Sequence, residues 1–359
     1  METGGKTRLV WADQAKGIGI LAVITGHTAL EYGWWGTFIY SFHMPLFFFL
    51  SGFFFSWSPD LPAAEQIRKK VRTILVPYFV FAGLSYLYFL ARYHFGTPSY
   101  YEDLDVWQVF AGIFYSAGTR EWMDFNLPLW FLTCLFVTEM LFMAVRGLIR
   151  HKAALTAALA VFAIAGYLDG IYNPFKLPWG IDVALTAVAF FGAGYLSKEA
   201  VRRLLARPAA VRLALGLLFL VLNIAALTER MNVNMKVHGQ FYDFYFAAFC
   251  GILWCLLLSS VIRSKALEYL GRHSLILMAV HMPMLGIAGR LVGLLPFSLP
   301  SDGAEALRAA LVIVMALPVI YVIHRHFPWV IGKSRKGMLL RGKRMHENEV
   351  SSPSNPTII

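Results

Sequence analysis

Ten long apolar segments recur along this chain, and each holds close to the roughly 20 residues that a helix needs to cross a lipid bilayer. Such segments are typical of membrane-spanning helices and rare in soluble domains. The sequence therefore predicts an all-α, polytopic membrane protein with about ten transmembrane helices. The predicted spans lie near residues 12–30, 41–57, 73–92, 128–149, 153–170, 179–197, 210–228, 241–262, 273–294 and 305–324.

The composition agrees with a membrane protein and disfavours other classes. Of the residues, 58% are hydrophobic and only 15% are charged, whereas soluble domains carry about 25% charged residues. The net charge of +11 resides in short loops between apolar segments, so it indicates membrane topology and no nucleic-acid partner. Cys134, Cys250 and Cys255 lie inside apolar segments without the spacing of a metal site, which predicts three core residues and no metal.

Lysine and arginine alternate strongly between the two sets of connections. One set, which includes both termini, holds 25 of the 32 basic residues. Because basic residues concentrate on the cytoplasmic side, we expect both termini in the cytoplasm of a multi-pass protein of the inner (cytoplasmic) membrane. We expect one membrane domain over residues 1–330 and a basic, disordered tail over 331–359 near lipid head groups.

The first apolar segment carries ionisable residues at helical spacing. Lys16 and His27 are eleven positions apart, so they share one helix face and lie about 16 Å apart along the axis. Asp13 falls within about 60° of that face, and Glu31 lies one turn beyond His27. His43, near the start of the second segment, lies close to the level of His27.

This polar stripe has two interpretations. In the first, Asp13 and Lys16 extend to the membrane interface and His27 is a hydrogen-bonded packing residue. In the second, the stripe lines a cavity, because ionisable groups are costly in lipid, and the neutral imidazole acts as a general base. A base near the outer side and a cation near the inner side then imply two substrates from opposite faces. The run "RKKVR" at 68–72 adds inner positive charge, although the topology signal alone explains it as well.

Several blocks resemble one family of membrane enzymes. They are "DQAKGIGILAVITGH", "SFHMPLFFFLSGFFF", "VRTILVPYF", "LPLWFLTCLF", "FFGAGYLSK" and "LEYLGRHSLILMAVHMP". In order and spacing they are similar to the acyltransferase 3 family, and most similar to its fucose 4-O-acetylase-like branch, over about residues 8–325.

The resemblance implies an acyl-CoA donor, usually acetyl-CoA, and transfer to a hydroxyl group, often on a sugar of a cell-surface glycan. It implies that His27 is the catalytic base. Lys16 stands where the family has an arginine, which keeps the charge and loses the bidentate geometry. Lys69 and Arg72 stand at a basic element of the family that suits CoA phosphates, and with Lys16 they are the candidates for binding the donor.

Further residues are candidates on the two sides. Asp13 or Glu31 is a candidate to orient the imidazole, and spacing does not decide between them. His43 is a candidate to bind the acceptor or to stabilise the oxyanion. An acyl-enzyme route through Ser51 is the alternative to direct transfer. On the outer side, candidate acceptor-binding residues are Trp130, Asn232, Asn234 and Tyr242.

For each of these residues, a purely structural interpretation without a catalytic or binding role stays open. An interfacial aromatic explains Trp130, loop polarity explains the asparagines, and packing explains a serine beside glycine and a buried His281. A function from another class also stays open, namely a transporter or exporter of a glycan or lipid-linked sugar. The absence of an evident internal duplication disfavours the transporter. We expect a carbohydrate acceptor, acyl-CoA, the lipid bilayer and glycan-assembly proteins as partners.

Overall fold

The computed structural model describes residues 9–28, 33–56, 58, 61–96, 103–296 and 299–333. Within them the regular structure is helical, with one π-helical segment at Val71–Leu75 and no strand. The predicted all-helical fold is confirmed. The α-helices are α1 Val10–Gly26, α2 Trp34–Phe54, α3 Ala63–Lys70, α4 Val76–Phe95, α5 Val106–Tyr115, α6 Arg120–Met123, α7 Trp130–Leu148, α8 Lys152–Tyr172, α9 Ile181–Leu196, α10 Lys198–Leu205, α11 Ala209–Ala225, α12 Phe241–Val261, α13 Lys265–Arg272, α14 Ser274–Gly293 and α15 Ser301–His326.

Eight helical stretches of the described chain are long and apolar enough to cross a membrane, which supports a multi-pass membrane protein. The number rises to nine if α10 and α11, which meet at a 120° bend, form one span. Helix α1 has 17 residues and falls just short of that length. The count of about ten spans and the orientation of the termini stay predictions. The division at residue 330 stays one as well, because residues 334–359 of the tail lie outside the described residues.

Helix α1 lies in the middle of the bundle, where it packs against α2, α12, α13 and α14. The backbones of α1 and α13 lie in direct contact. A side chain on Gly17 would collide with the backbone of Leu267, and one on Gly271 would collide with the backbone of Asp13. Small residues therefore bring the two backbones together, as is common between membrane helices. This packing holds α1 in a fixed rotation, so its polar stripe has a fixed direction.

Helices α2 and α9 cross in the same way. A Cβ atom on Gly52 would meet the carbonyl of Phe191, and one on Gly194 would meet the carbonyl of Phe49. The three cysteines are free and buried in the core, as the sequence predicts. Buried phenylalanines from α2, α7 and α9 fill the space around this crossing.

The segment 227–240, between α11 and α12, is held by a buried ionic cluster. Lys236, with a relative exposure of 8%, places its ammonium 2.9 Å from the carboxylate of Asp169 and 3.5 Å from that of Asp182. Lys176 approaches Asp182 at 3.5 Å and also donates to the carbonyl of Asn234. Burial lowers the pKa of Lys176, while Asp182 opposes that shift. The cluster fixes the 227–240 segment against the α8–α9 connection.

Candidate active site

One cavity of about 530 Å³ lies among α1, α2, α7, α14 and the 227–240 segment. Lys16 and His27 both line it, about 16 Å apart along α1. Between them, Phe47 packs beside Gly19 of α1 and Phe131 packs against Phe47, and both aromatic rings line the cavity. We call the part around Lys16 the lysine end and the part around His27 the histidine end. The cavity therefore joins two polar regions through an apolar middle.

The histidine end is built on the residue that directly follows α1. His27 caps α1 in a non-helical conformation, with φ −107° and ψ 10°, and its ring lies half-buried in the wall. The hydroxyl of Tyr40 donates to the carbonyl of Gly26 at 3.1 Å, which ties α2 to this end of α1. The Tyr40 ring also meets the ring of His43, with centroids 5.0 Å apart. Both histidines thus reach the same end of the cavity.

The ring of His43 has a defined tautomer when it is neutral. Its Nδ1 lies 2.8 Å from the carbonyl oxygen of Ile39, one turn earlier in α2. Because a carbonyl only accepts, Nδ1 carries the proton and Nε2 offers a lone pair. His43 is therefore a hydrogen-bond acceptor in a buried wall, and it suits a hydroxyl donor.

A cation also faces the histidine end. The guanidinium of Arg230 lies over the ring of Tyr40, 4.7 Å from its centroid, and Arg230 lines the cavity. A cation over an aromatic face is attracted by the ring quadrupole. Arg230, Tyr40 and the two histidines form a continuous polar wall at this end.

The lysine end contains a buried ion pair. The ammonium of Lys70 lies 2.8 Å from the carboxylate of Glu139, and both residues line the cavity. It also lies 5.1 Å from the ring centroid of Phe55. Lys16 lies over the neighbouring ring of Phe54, at 5.1 Å. Two ammonium groups are therefore gathered where α2 ends, together with the hydroxyls of Thr73 and Ser274.

A family model described as an acyltransferase domain matches residues 9–325. The chain belongs to the acyltransferase 3 family. No curated protein and no solved structure matches the chain. Membership confirms the family predicted from the sequence and supports a membrane acyltransferase. The match includes every residue that lines the cavity, from Lys16 to Met278.

In this acyltransferase the predicted residues Lys16, His27 and His43 are brought together in one cavity, and Trp130, Asn232 and Asn234 line the same cavity. The two asparagines also hold the loop. Asn232 accepts from the backbone N–H of Met235 at 3.0 Å, and Asn234 donates to the carbonyl of Gly118 at 2.8 Å. Part of their hydrogen-bonding capacity is therefore used within the protein.

Other predicted site residues lie away from the cavity wall. Asp13 is buried against α13, 3.5 Å from the guanidinium of Arg272. It lies about 21 Å from His27 along the helix axis, so it does not contact the imidazole. Tyr242 is 82% exposed on α12. Glu31 lies outside the described residues, so its role stays a prediction.

Two of the three basic residues predicted to bind CoA phosphate, Lys69 and Arg72, are exposed on the surface of the acyltransferase. The Lys69 side chain is exposed, and Arg72 donates through Nε and Nη2 to the carbonyl of Gly332 at 3.2 and 3.1 Å. Their neighbour Lys70 lines the cavity instead. The helix changes from α to π geometry at Val71, directly after Lys70.

Sequence reasoning missed Lys70, Glu139 and Arg230 as cavity residues. A signal existed for two of them. Glu139 is an acid in the middle of an apolar segment, which marks a functional position by default. Arg230 is a basic residue on the side predicted to be poor in basic residues. Lys70 carried no separate signal within a run of four basic residues.

Proposed function

We propose that this protein is an O-acetyltransferase of the inner membrane, from the fucose 4-O-acetylase-like branch of its family. It transfers an acetyl group from cytoplasmic acetyl-CoA to a hydroxyl of a cell-surface or lipid-linked carbohydrate. The observation that carries the proposal is the single cavity that holds Lys16 at one end and His27 with His43 at the other. Such a cavity allows a donor and an acceptor to meet from opposite sides.

The lysine end binds the donor in this proposal. Coenzyme A carries several phosphate charges, which need positive partners beside a low-dielectric wall. Lys16 and Lys70 supply them, and the pantetheine arm extends through the apolar middle. We keep Lys69 and Arg72 as candidates for contacts outside the cavity. The positive-inside pattern supports the placement of this end in the cytoplasm.

The histidine end carries out the transfer. His27 accepts the proton of the acceptor hydroxyl while the oxygen attacks the thioester carbonyl carbon. The tetrahedral intermediate collapses, the carbon–sulfur bond breaks, and the CoA thiolate takes the proton back from the imidazolium. Nε2 of His43 accepts a hydrogen bond from the acceptor, whose sugar ring lies against Trp130, Asn232 and Asn234. Glu31 stays a candidate to orient the imidazole.

The decisive test replaces the base. Inverted membrane vesicles from producing cells retain the native acceptor and expose the cytoplasmic face to [1-¹⁴C]acetyl-CoA. We expect wild-type vesicles to transfer label to membrane glycan, which mass spectrometry identifies as an acetyl ester. His27→Gln keeps a hydrogen-bonding side chain and removes the proton acceptor, so we expect a loss of about 10²–10⁴-fold.

The matched control is His238→Gln. His238 is a buried histidine with 5% relative exposure, and it does not line the cavity. We expect its variant to retain transfer at equal protein level. Full transfer by His27→Gln would refute the general base. No transfer by wild-type vesicles, together with a loss of surface glycan in cells that lack the gene, would favour the exporter.

A further inference from the structure

A second histidine lies beside His27, outside the cavity wall. His281 of α14 is fully buried, with a relative exposure of 0%, and its ring centroid is 5.3 Å from that of His27. Its Nδ1 lies 2.7 Å from the carbonyl oxygen of Met278 and 3.2 Å from that of Leu277. Both are carbonyl oxygens, so Nδ1 is the protonated nitrogen and Nε2 presents a lone pair.

That lone pair has no hydrogen-bond partner among the described residues. A buried acceptor without a donor is costly, so such groups in native proteins call for an explanation. His281 does not line the cavity, so a bound substrate does not reach it directly. The neighbouring ring that can donate to it is that of His27, which lines the cavity.

The separation of the two rings fits a hydrogen bond. His273 and His324 of the same protein are joined by a 2.9 Å contact between ring nitrogens, and their centroids are 4.7 Å apart. The His27 and His281 centroids are only slightly further apart, and the rings are tilted by 39°. His27 is at the end of α1 and not inside it, so its ring can turn towards His281.

We propose that Nε2 of His281 accepts a hydrogen bond from a ring N–H of His27 and is a positioning residue for the transfer. The inference rests on the proposed function of His27. The bond fixes the tautomer of His27, so that its other nitrogen is unprotonated and faces the acceptor hydroxyl. When His27 takes up the proton, the same bond holds the imidazolium in place.

Two substitutions separate the two nitrogens of His281. The amide of His281→Asn stands where Nδ1 was and keeps the donor to Met278, but nothing replaces Nε2. The longer His281→Gln places an amide oxygen near Nε2 and keeps the acceptor. In the vesicle assay we expect His281→Asn to lower the maximal rate by about 10–100-fold with an unchanged KM for acetyl-CoA. We expect His281→Gln to stay within about 3-fold of wild type.

A packing role predicts a different result. It would lower protein level and thermal stability for both variants and leave the rate per folded molecule unchanged. Wild-type turnover by His281→Asn, or equal losses of turnover in both variants, would overturn the proposal.

A second measurement does not depend on activity. The thermal midpoints of purified wild type, His27→Ala, His281→Asn and the double variant form a double-mutant cycle. We expect the melting temperature of the double variant to fall by about 2 °C less than the sum of the falls in the two single variants. Each single variant already loses the same hydrogen bond, so the sum includes its loss twice. Additive losses would overturn the hydrogen bond. If wild-type vesicles transfer no acetyl group, the proposed function fails while this cycle still decides the contact.

Discussion

Replacing Lys236 by methionine tests the cluster that holds the histidine end of the cavity. Its ammonium donates to Asp169 at 2.9 Å and to the carbonyls of Asn173 and Phe175 at 2.7 and 3.0 Å. It also lies 3.5 Å from Asp182. Methionine has a similar length and no charge, so Lys236→Met removes these interactions without a large change in packing volume.

The expected cost follows from what remains buried. After the substitution, the carboxylate of Asp169, with 16% of its side chain exposed, loses its ion partner. Among the described residues, Asp182 then has Lys176, at 3.5 Å, as its remaining ion partner. Removing one partner of a buried ion pair typically costs about 3–5 kcal/mol. One kcal/mol lowers the melting temperature of a 150–250-residue protein by about 2–4 °C, and less for a longer chain, so we expect a loss of roughly 4–6 °C.

The assay is thermal denaturation of the detergent-solubilised full chain, followed by size-exclusion chromatography of the remaining monodisperse protein. Lys152→Met is the matched control, because Lys152 is exposed at the start of α8 and should shift the midpoint by less than about 1 °C. Adding Asp169→Asn to Lys236→Met should recover part of the loss, since it removes the unpaired carboxylate. A shift for Lys236→Met no larger than that of the control would refute the reasoning.

Three further predictions concern acid stability, orientation and donor binding. Burial lowers the pKa of His238 to about 4. In the unfolded chain this histidine has its ordinary pKa of about 6.5, so between pH 4 and 6.5 the unfolded chain binds more protons than the folded protein. The melting temperature should therefore fall below pH 6.5, and the free energy of unfolding should be lower by about 1.4 kcal/mol at pH 5.5. His238→Asn should make the melting temperature depend less on pH. With the native cysteines replaced, an impermeant thiol reagent on intact cells should label Glu121→Cys and spare Ala266→Cys; the reverse pattern would contradict the orientation. Lys70→Gln should weaken acetyl-CoA binding to purified protein about 10-fold, whereas Lys152→Gln, at an exposed lysine at the start of α8, should change it less than 2-fold, and equal effects would contradict the assignment of the donor end.

The features of this fold that depend on local periodicity can be predicted from the sequence. The apolar segments predict helices, and the structure has a helix at each of the ten predicted positions. The eleven-residue spacing of Lys16 and His27 predicts one shared face, and both residues line the cavity. His43 is predicted to lie at the same end of the cavity because its position in the second apolar segment is close to the level of His27. Each of these inferences needs only the geometry of one helix and the cost of ionisable groups in lipid.

Features that depend on packing between distant segments were not predictable in this way. His281 is separated from His27 by more than 250 residues, and no local pattern brings α14 beside the end of α1. Lys70 lines the cavity directly before a π-helical segment, and a regular helix pattern does not contain that change in geometry. Arg230 reaches the histidine end because the ionic cluster at Lys236 fixes its loop.

Ionisable groups buried in this bundle either face the cavity or pair with an opposite charge on another helix. This explains why the polar stripe on α1 identifies only some of the site residues. Lys16 and His27 face the cavity. Asp13, on nearly the same face, is turned to Arg272 of α13, which supplies the counter-charge at 3.5 Å. Both solutions avoid an isolated charge in a low-dielectric interior. Helical spacing does not distinguish them, because the counter-charge comes from another helix. A polar stripe therefore identifies the helix that lines a cavity, and only the packing of the surrounding helices determines which residues of the stripe reach it.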